Sequence, residues 1–585
     1  MMRWLKSPTG RKKGDIEVKP ILNRYDKPLV EALHALIALG PVLGYLYVLD
    51  LFQPSYPILL RGVVWNKIFK LDLPDLGFYV FLPFAALTLT LGIYIYSAGG
   101  LNVIKPFKLA RNVLAILTVL NLPPLLYWIA YLWDPQLTSG YGPERYRWVS
   151  EFDAMLLNTC APAYPILLLA TLYAWMAPLI SMALKRRIKL KVRCREALKE
   201  ANCPSSSNIS SSPLGLISAL FLSIALPLIP YLPTINPEFK PVSVDIKYYT
   251  TWLDNMLMGD IWNAVNYAFY GRSGNRPLYL LLLYGLTSLG IQKEFVLNLE
   301  ALFIAPFFAL AVYFSAKRIS RSNQYAVLAS LGGLLGFNMT VGMMAGFFAA
   351  WTALMLFYSC IALTPDLEKP SPRSLALYLI ASIVALYIHP WTWGLLMAVL
   401  TAYLAYSTLS SLNKGSIRVN KYLLTVLAVN AVVDLLKTAL TPNYGGAVSS
   451  ATLVLDVGSY WFENLIRQRW YIYRLMTSYV GGLFFNPLHM TLALLGVLSL
   501  LKRRSEHSKL ILTWVALTSL IFPFSNVSLQ SHLLFAMPFP ILIAEGLWLI
   551  SRFLGNFDPQ LPKLFIAFFL VSSLTYTVRA LCNLV

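Results

Sequence analysis

The sequence predicts an all-α polytopic membrane protein. Three observations point to that class. The chain of 585 residues is 57% hydrophobic and only 13% charged, where soluble domains average roughly 45–50% apolar and about 25% charged. Its mean hydropathy is +0.60. Apolar runs of about 20 residues recur, long enough to cross a hydrocarbon core of about 30 Å. They are continuous rather than alternating, which argues against a barrel, and only helices or closed barrels satisfy their backbone groups inside lipid.

The expected spans follow in order. The first four cover residues 29–52, 78–99, 109–133 and 154–183. A basic stretch comes next, with Lys185, Arg186, Arg187, Lys189, Lys191, Arg193 and Arg195, and then the Ser-rich segment PSSSNISSSP. Such composition reads as a linker. It sets a boundary near residue 212, dividing a four-helix domain at 1–212, with no assigned chemistry, from a larger domain at 213–585. The second part opens with a span at 213–233 and a polar loop reaching residue 276. Further spans are expected at 295–316, 324–340, 341–363, 374–391, 392–410, 421–440, 477–502, 508–525, 528–550 and 563–582. The expected total is about fifteen transmembrane helices. The run at 278–291 is too short to cross and fits a helix at the membrane interface.

The charge of +21, from 48 basic and 27 acidic side chains, reports topology in this setting and gives no reason to expect a nucleic-acid partner. Lys and Arg collect in cytoplasmic loops. Basic clusters at 1–27, 105–111, 185–195, 317–321, 414–421 and 502–509 all fall on one side if the N-terminus is cytoplasmic. The loops 234–276 and 442–476 then share the outer face of what is expected to be a plasma-membrane protein. The N-terminus lacks the short apolar core and cleavage site of a removable signal peptide. Cys160, Cys194, Cys203, Cys360 and Cys582 are scattered without metal-ligand or disulfide spacing.

In so apolar a chain, polar groups gathered at a membrane surface are the best guide to chemistry. The first outer loop holds Asp245, Lys247, Tyr248 and Tyr249, then Arg272 and Arg276. A carboxylate there can take a proton from an attacking hydroxyl, or it can cap the helix that follows. Lys247, Arg272 and Arg276 are candidates for holding a departing phosphate. Tyr248, Tyr249, Trp252 and Trp262 suit an interfacial aromatic belt, or sugar stacking. Asp254 and Asp260 read as solvated.

The second outer loop carries Arg467, Arg469 and Arg474, against the positive-inside tendency. They are candidates for phosphate, or for pairing with Asp456 or Glu463. Asp434 and Lys437 share a helix face, as an ion pair or as a route for Lys437 to the phosphate. Glu300 reads chiefly as a structural hydrogen-bonding group. His389 sits at an outer turn and His489 near the outer half of its span, as packing residues or as a pair that binds a substrate or a metal.

Asp245, the sequence Arg276-Pro277-Leu278-Tyr279 and a following span ending at Lys317 and Arg318 resemble the GT-C superfamily of membrane glycosyltransferases, of the protein mannosyltransferase or aminoarabinose transferase kind. The resemblance extends over 213–585, with its motifs in 241–340. It implies a GT-C-like core and an extracytoplasmic site, a polyprenyl- or dolichyl-phosphate sugar as donor, and a glycan, lipid or protein acceptor. It also implies that Asp245 is the base of the transfer, which as a single displacement would invert configuration. Read from their own chemistry, Lys247, Tyr248, Tyr249, Arg272, Arg276, His389, Lys437, Arg467, Arg469 and Arg474 are the candidates for binding substrate and phosphate. Family members often carry paired acids, whereas Asp245 stands between Val244 and Ile246. No cofactor is expected, and a divalent metal has no paired-acid motif to hold it. The rival readings are a transporter or lipid flippase, and a non-catalytic membrane scaffold.

Overall fold

A computed structural model of the chain describes chiefly residues 122–133, 214–271, 275–412, 419–441, 487–503, 505–521, 527–555 and 559–582. The described residues are helical, with no strand among them. The helices are α1 (Leu122–Trp133), α2 (Leu214–Leu228), α3 (Ile246–Leu257), α4 (Ile261–Tyr270), α5 (Pro277–Ser288), α6 (Lys293–Asn298), α7 (Glu300–Ser320), α8 (Asn323–Leu334) and α9 (Phe337–Ala345). They continue with α10 (Phe348–Leu363), α11 (Pro372–Ile388), α12 (Pro390–Leu412), α13 (Lys421–Leu440), α14 (Pro487–Lys502), α15 (Glu506–Ile521), α16 (Val527–Phe535), α17 (Phe539–Gly555) and α18 (Leu561–Cys582). Seven segments among the described residues are long and apolar enough to cross a membrane. The chain is a membrane-embedded helical protein.

Local sequence starts and stops these helices. Ser322, Ser371 and Asn420 accept the N–H groups of Tyr325, Ser374 and Leu423 in the first turns of α8, α11 and α13, at 3.3, 3.1 and 3.0 Å. Those first-turn donors have no partner inside a helix. Pro277 and Pro372 open α5 and α11, where proline's missing N–H costs nothing. Helix α5 has 12 residues, a length of about 18 Å, too short for the bilayer core as expected for an interfacial segment.

Two boundaries differ from expectation. The stretch expected as spans 324–340 and 341–363 divides instead at Gly346, where φ is +76°. The apolar composition runs unbroken through this turn, so hydropathy has nothing to mark it. The expected span 528–550 divides into α16 and α17 around Pro538, whose ring and absent N–H interrupt a helix.

Helices α8 and α9 lie deepest, with 89% of their most apolar window buried. Around them α7 packs on α10 and α8, α8 on α17, and α10 on α11. The core is aromatic where α7, α10 and α15 meet: Phe357 stacks on Trp514 at 4.2 Å and Phe308 meets Trp351 and Tyr358 edge-on. Helices α14 and α17 approach closely because Gly496 faces the Leu542 carbonyl and Gly546 faces the Leu492 carbonyl. Small residues permit this approach between helices in lipid. Helix α1 packs on α18, and the Leu132 carbonyl accepts from the Thr234 hydroxyl at 2.8 Å, so part of the first 212 residues lies against the second part of the chain.

Successive spans alternate in direction, and contacts between distant residues mark two ends. At one end Asp245 meets Ala345, Lys437 meets Leu386, and His389 meets His532. At the other, Arg318 pairs with Asp366, His507 approaches the Ala362 carbonyl at 3.4 Å and Tyr403 donates to Glu506 at 2.8 Å. Lys317, Arg321, Arg503 and Lys509 belong to this second, basic end.

Candidate functional site

The site is built at the first end, where the loop after α2 lies along the last turn of α9. Ser243 Oγ donates to the Met343 carbonyl at 2.6 Å, the Val244 N–H to Met344 at 2.9 Å and the Asp245 N–H to Ala345 at 3.2 Å. These are carbonyls that a helix end leaves without intrahelical partners. Gly346 makes the contact possible: a Cβ there would lie 3.1 Å from the Ser243 Cβ and 3.2 Å from the Asp245 Cβ. Asp245 is thereby fixed against the most buried part of the bundle.

Its carboxyl makes no capping hydrogen bond to α3, so the capping alternative does not describe it. The group is half-buried. Loss of water pushes its pKa above the ordinary carboxylate value, while Arg276 first and Lys247 second pull it back. A carboxylate in this state is a stronger proton acceptor than a solvated one. Asp254 and Asp260 act otherwise. Lys293 donates to Asp254 at 2.5 Å, and Asp260 caps α4 through the Asn263 N–H at 2.8 Å.

Tyr249 lies one turn beyond Asp245 on α3, on the same helix face. Its phenol accepts from Arg276 Nη1 at 2.6 Å, and the guanidinium stands 5.7 and 5.5 Å from the Tyr249 and Trp252 ring centroids. Arginine suits such a stacked and hydrogen-bonded setting. Burial pushes the Tyr249 phenol up to about 12, with Arg276 opposing, so it stays a neutral donor and acceptor. Beneath it, Tyr279 packs edge-on at 5.7 Å and donates to the buried Glu300, which is the structural hydrogen bonding expected of that acid.

Lys437 reaches this group from α13. Its ammonium donates to the Asn275 carbonyl at 3.0 Å and the Leu386 carbonyl at 3.3 Å, over the Tyr387 ring. Asp434 acts on the same charge from one turn earlier. Lys437 therefore ties the residue preceding Arg276 to α11 and α13. A separate buried network joins these helices: Trp393 donates to Asn430 at 3.0 Å and Asn430 to Ser382 at 2.9 Å.

His389 follows the last residue of α11. Its Nδ1 accepts from the Thr392 N–H at 3.3 Å and lies 2.9 Å from the Thr392 hydroxyl. That arrangement leaves the proton on Nε2. The ring that meets it is His532, at 5.1 Å between centroids. His489 packs elsewhere, 2.7 Å from Ser573 and against Phe569. Arg276 and Lys437 both act electrostatically on His389, and Arg276 also acts on His532.

The structure thus brings together Asp245, Tyr249 and Arg276, and links Lys437 and His389 to them. Lys247 and Tyr248 are exposed at the rim, the ammonium 5.2 Å from the ring centroid. Arg272, Arg467, Arg469 and Arg474 lie outside the described residues, as does the loop 442–476. Among the described residues no group of three or more His, Cys, Asp or Glu could hold a metal.

Sequence reasoning passed over His532. The available signal was its place near the start of a helix that begins at the same end as His389. The chain matches no protein-family model and none of the curated proteins.

Proposed function

We propose that this chain is a GT-C-type glycosyltransferase that moves a monosaccharide from a polyprenyl or dolichyl phosphate to an acceptor hydroxyl. The acceptor oxygen attacks the anomeric carbon as Asp245 takes its proton. The bond from that carbon to the phosphate oxygen breaks, and its electrons leave with the lipid phosphate. One displacement inverts the anomeric configuration. Arg276 stabilises the leaving phosphate, supported by Lys247 and His389, while Lys437 holds the Arg276 segment in place. The donor's tail lies among the helices, so catalysis is chiefly positioning and charge stabilisation.

The observation that carries this reading is a water-poor carboxylate, anchored by backbone contacts, beside the cation Arg276 at one end of a membrane bundle. The test is release of lipid phosphate from a panel of labelled polyprenyl-phosphate sugars by membranes containing the chain. Asp245→Asn is expected to lower turnover by about 10²–10⁴-fold, the range of a lost general base. Equal turnover in the variant would remove Asp245 as the base. Altered passage of lipid across the membrane, without sugar release, would favour a flippase.

We place the site at the extracytoplasmic face of the plasma membrane and the basic end in the cytoplasm, following the charge bias of inner loops. An impermeant thiol reagent outside intact cells is expected to label Glu238→Cys and not Glu368→Cys. The reverse pattern would invert the orientation.

A further inference from the structure

His532 and His389 form a contact the sugar-transfer scheme does not yet use. The His532 ring stacks on Phe347 at 4.4 Å and tilts against His389 at 5.1 Å and Trp391 at 5.7 Å. Three segments far apart in the chain, at 347, 389–391 and 532, therefore converge on one imidazole. Its Nδ1 is buried and has no hydrogen-bond partner among the described residues. A buried polar atom in that state calls for an explanation such as a catalytic role or an ion that binds there.

The surroundings indicate what would satisfy it. The described charged and titratable groups acting on His389 are His532, Arg276 and Lys437, and Arg276 also acts on His532; Phe347 and Trp391 carry no charge. His389 already presents Nε2–H, because its Nδ1 is occupied by Thr392. A donor imidazole, an unsatisfied imidazole and two nearby cations make a place for an anion with several acceptor oxygens. Phosphate meets that description, and its charge offsets the cost of adding a proton to an imidazole that has lost its water and lies under the influence of Arg276.

We propose that His389 and His532 together bind a phosphate group, and that His532 takes up a proton from solvent as the phosphate enters. This rests on the reading of the site as one that handles a phosphate-linked lipid. It adds a residue, His532, and makes anion binding dependent on pH.

The test uses the full chain in lipid nanodiscs, with undecaprenyl phosphate and inorganic phosphate as separate probes. Affinity is measured between about pH 6 and about pH 8, the range in which imidazole changes charge. His532→Gln is expected to weaken undecaprenyl phosphate binding about tenfold at the acid end and little at the alkaline end. Comparing variant with wild type at each pH removes the probe's own titration. Calorimetry of the wild type in two buffers is expected to show uptake of about one proton beyond the probe's own, a readout that needs no variant to fold. Identical pH profiles for wild type and variant, or no extra proton, would overturn the histidine proposal and leave the sugar-transfer reading standing. Binding of neither probe would overturn both. Equal affinity for the two probes would keep the histidines as a phosphate site and remove the lipid from it.

Discussion

Asp245 and Arg276 are 31 positions apart in the sequence, and the Arg276 charge acts on Asp245 because each is held by something else. The backbone of α9 holds Asp245, while Tyr249 and the Lys437-tethered Asn275 carbonyl hold the Arg276 segment. Desolvation of Asp245 has a direct consequence for rate. Its pKa is raised above the ordinary carboxylate value, and a base works only when deprotonated. Sugar transfer should therefore rise with pH along an acid limb whose midpoint is displaced upward from the ordinary value of an aspartate. Asp245→Glu, if active, should retain an acid limb, while Asp245→Asn should lose it along with the rate. A wild-type rate that stays flat through the acid range would contradict a carboxylate base. Asp245 and Arg276 were legible in the sequence because charge stands out in an apolar chain. Tyr249 was legible as a candidate, though not as the acceptor of an Arg276 hydrogen bond, and His532 has no nearby sequence neighbour to mark it. Two of the three donors of Lys437 go to carbonyls, which gives it a positioning role beside the phosphate role expected of it.

Among the elements, the junction of α9 and α10 matters most. Gly346 combines a left-handed backbone with close approach to Ser243 and Asp245. An L-residue pays about 1–2 kcal/mol for that conformation, and its Cβ must also displace the loop. Gly346→Ala is expected to lower the melting temperature in detergent and to reduce sugar transfer by more than the loss of folded protein accounts for. Unchanged activity per folded molecule would mean that the Ser243–Asp245 pairing does not set the base. The sequence located the helices on either side of this junction but put the turn six residues early, at 340/341. Hydropathy averages over a window and cannot see a one-residue backbone requirement. The same limit explains the missed break at Pro538, whereas the shortness of α5 was plain from its length alone. Helix α13, expected at 421–440, is observed as Lys421–Leu440, because polar sequence flanks it on both sides.

At the scale of the molecule, the alternation of spans sorts the ionisable groups into two ends with different chemistry. At the basic end they are largely used in contacts with one another, as in Arg318 with Asp366 and Lys509 with Glu506. At the other end Asp245, Arg276 and the two histidines gather, and the proposed phosphate headgroup would sit among them. That division follows from the order of basic clusters in the sequence once helices are assumed to alternate. The convergence of α3, α5, α9, α11, α13 and α16 on one spot does not, because it depends on lateral packing that composition leaves open. The most direct test of the central claim is a structure of the full chain in nanodiscs with bound undecaprenyl phosphate. The account predicts headgroup density against Arg276, His389 and His532, with Asp245 facing the side where a sugar would sit. Headgroup density at the basic end, or at a cleft remote from Asp245, would contradict it.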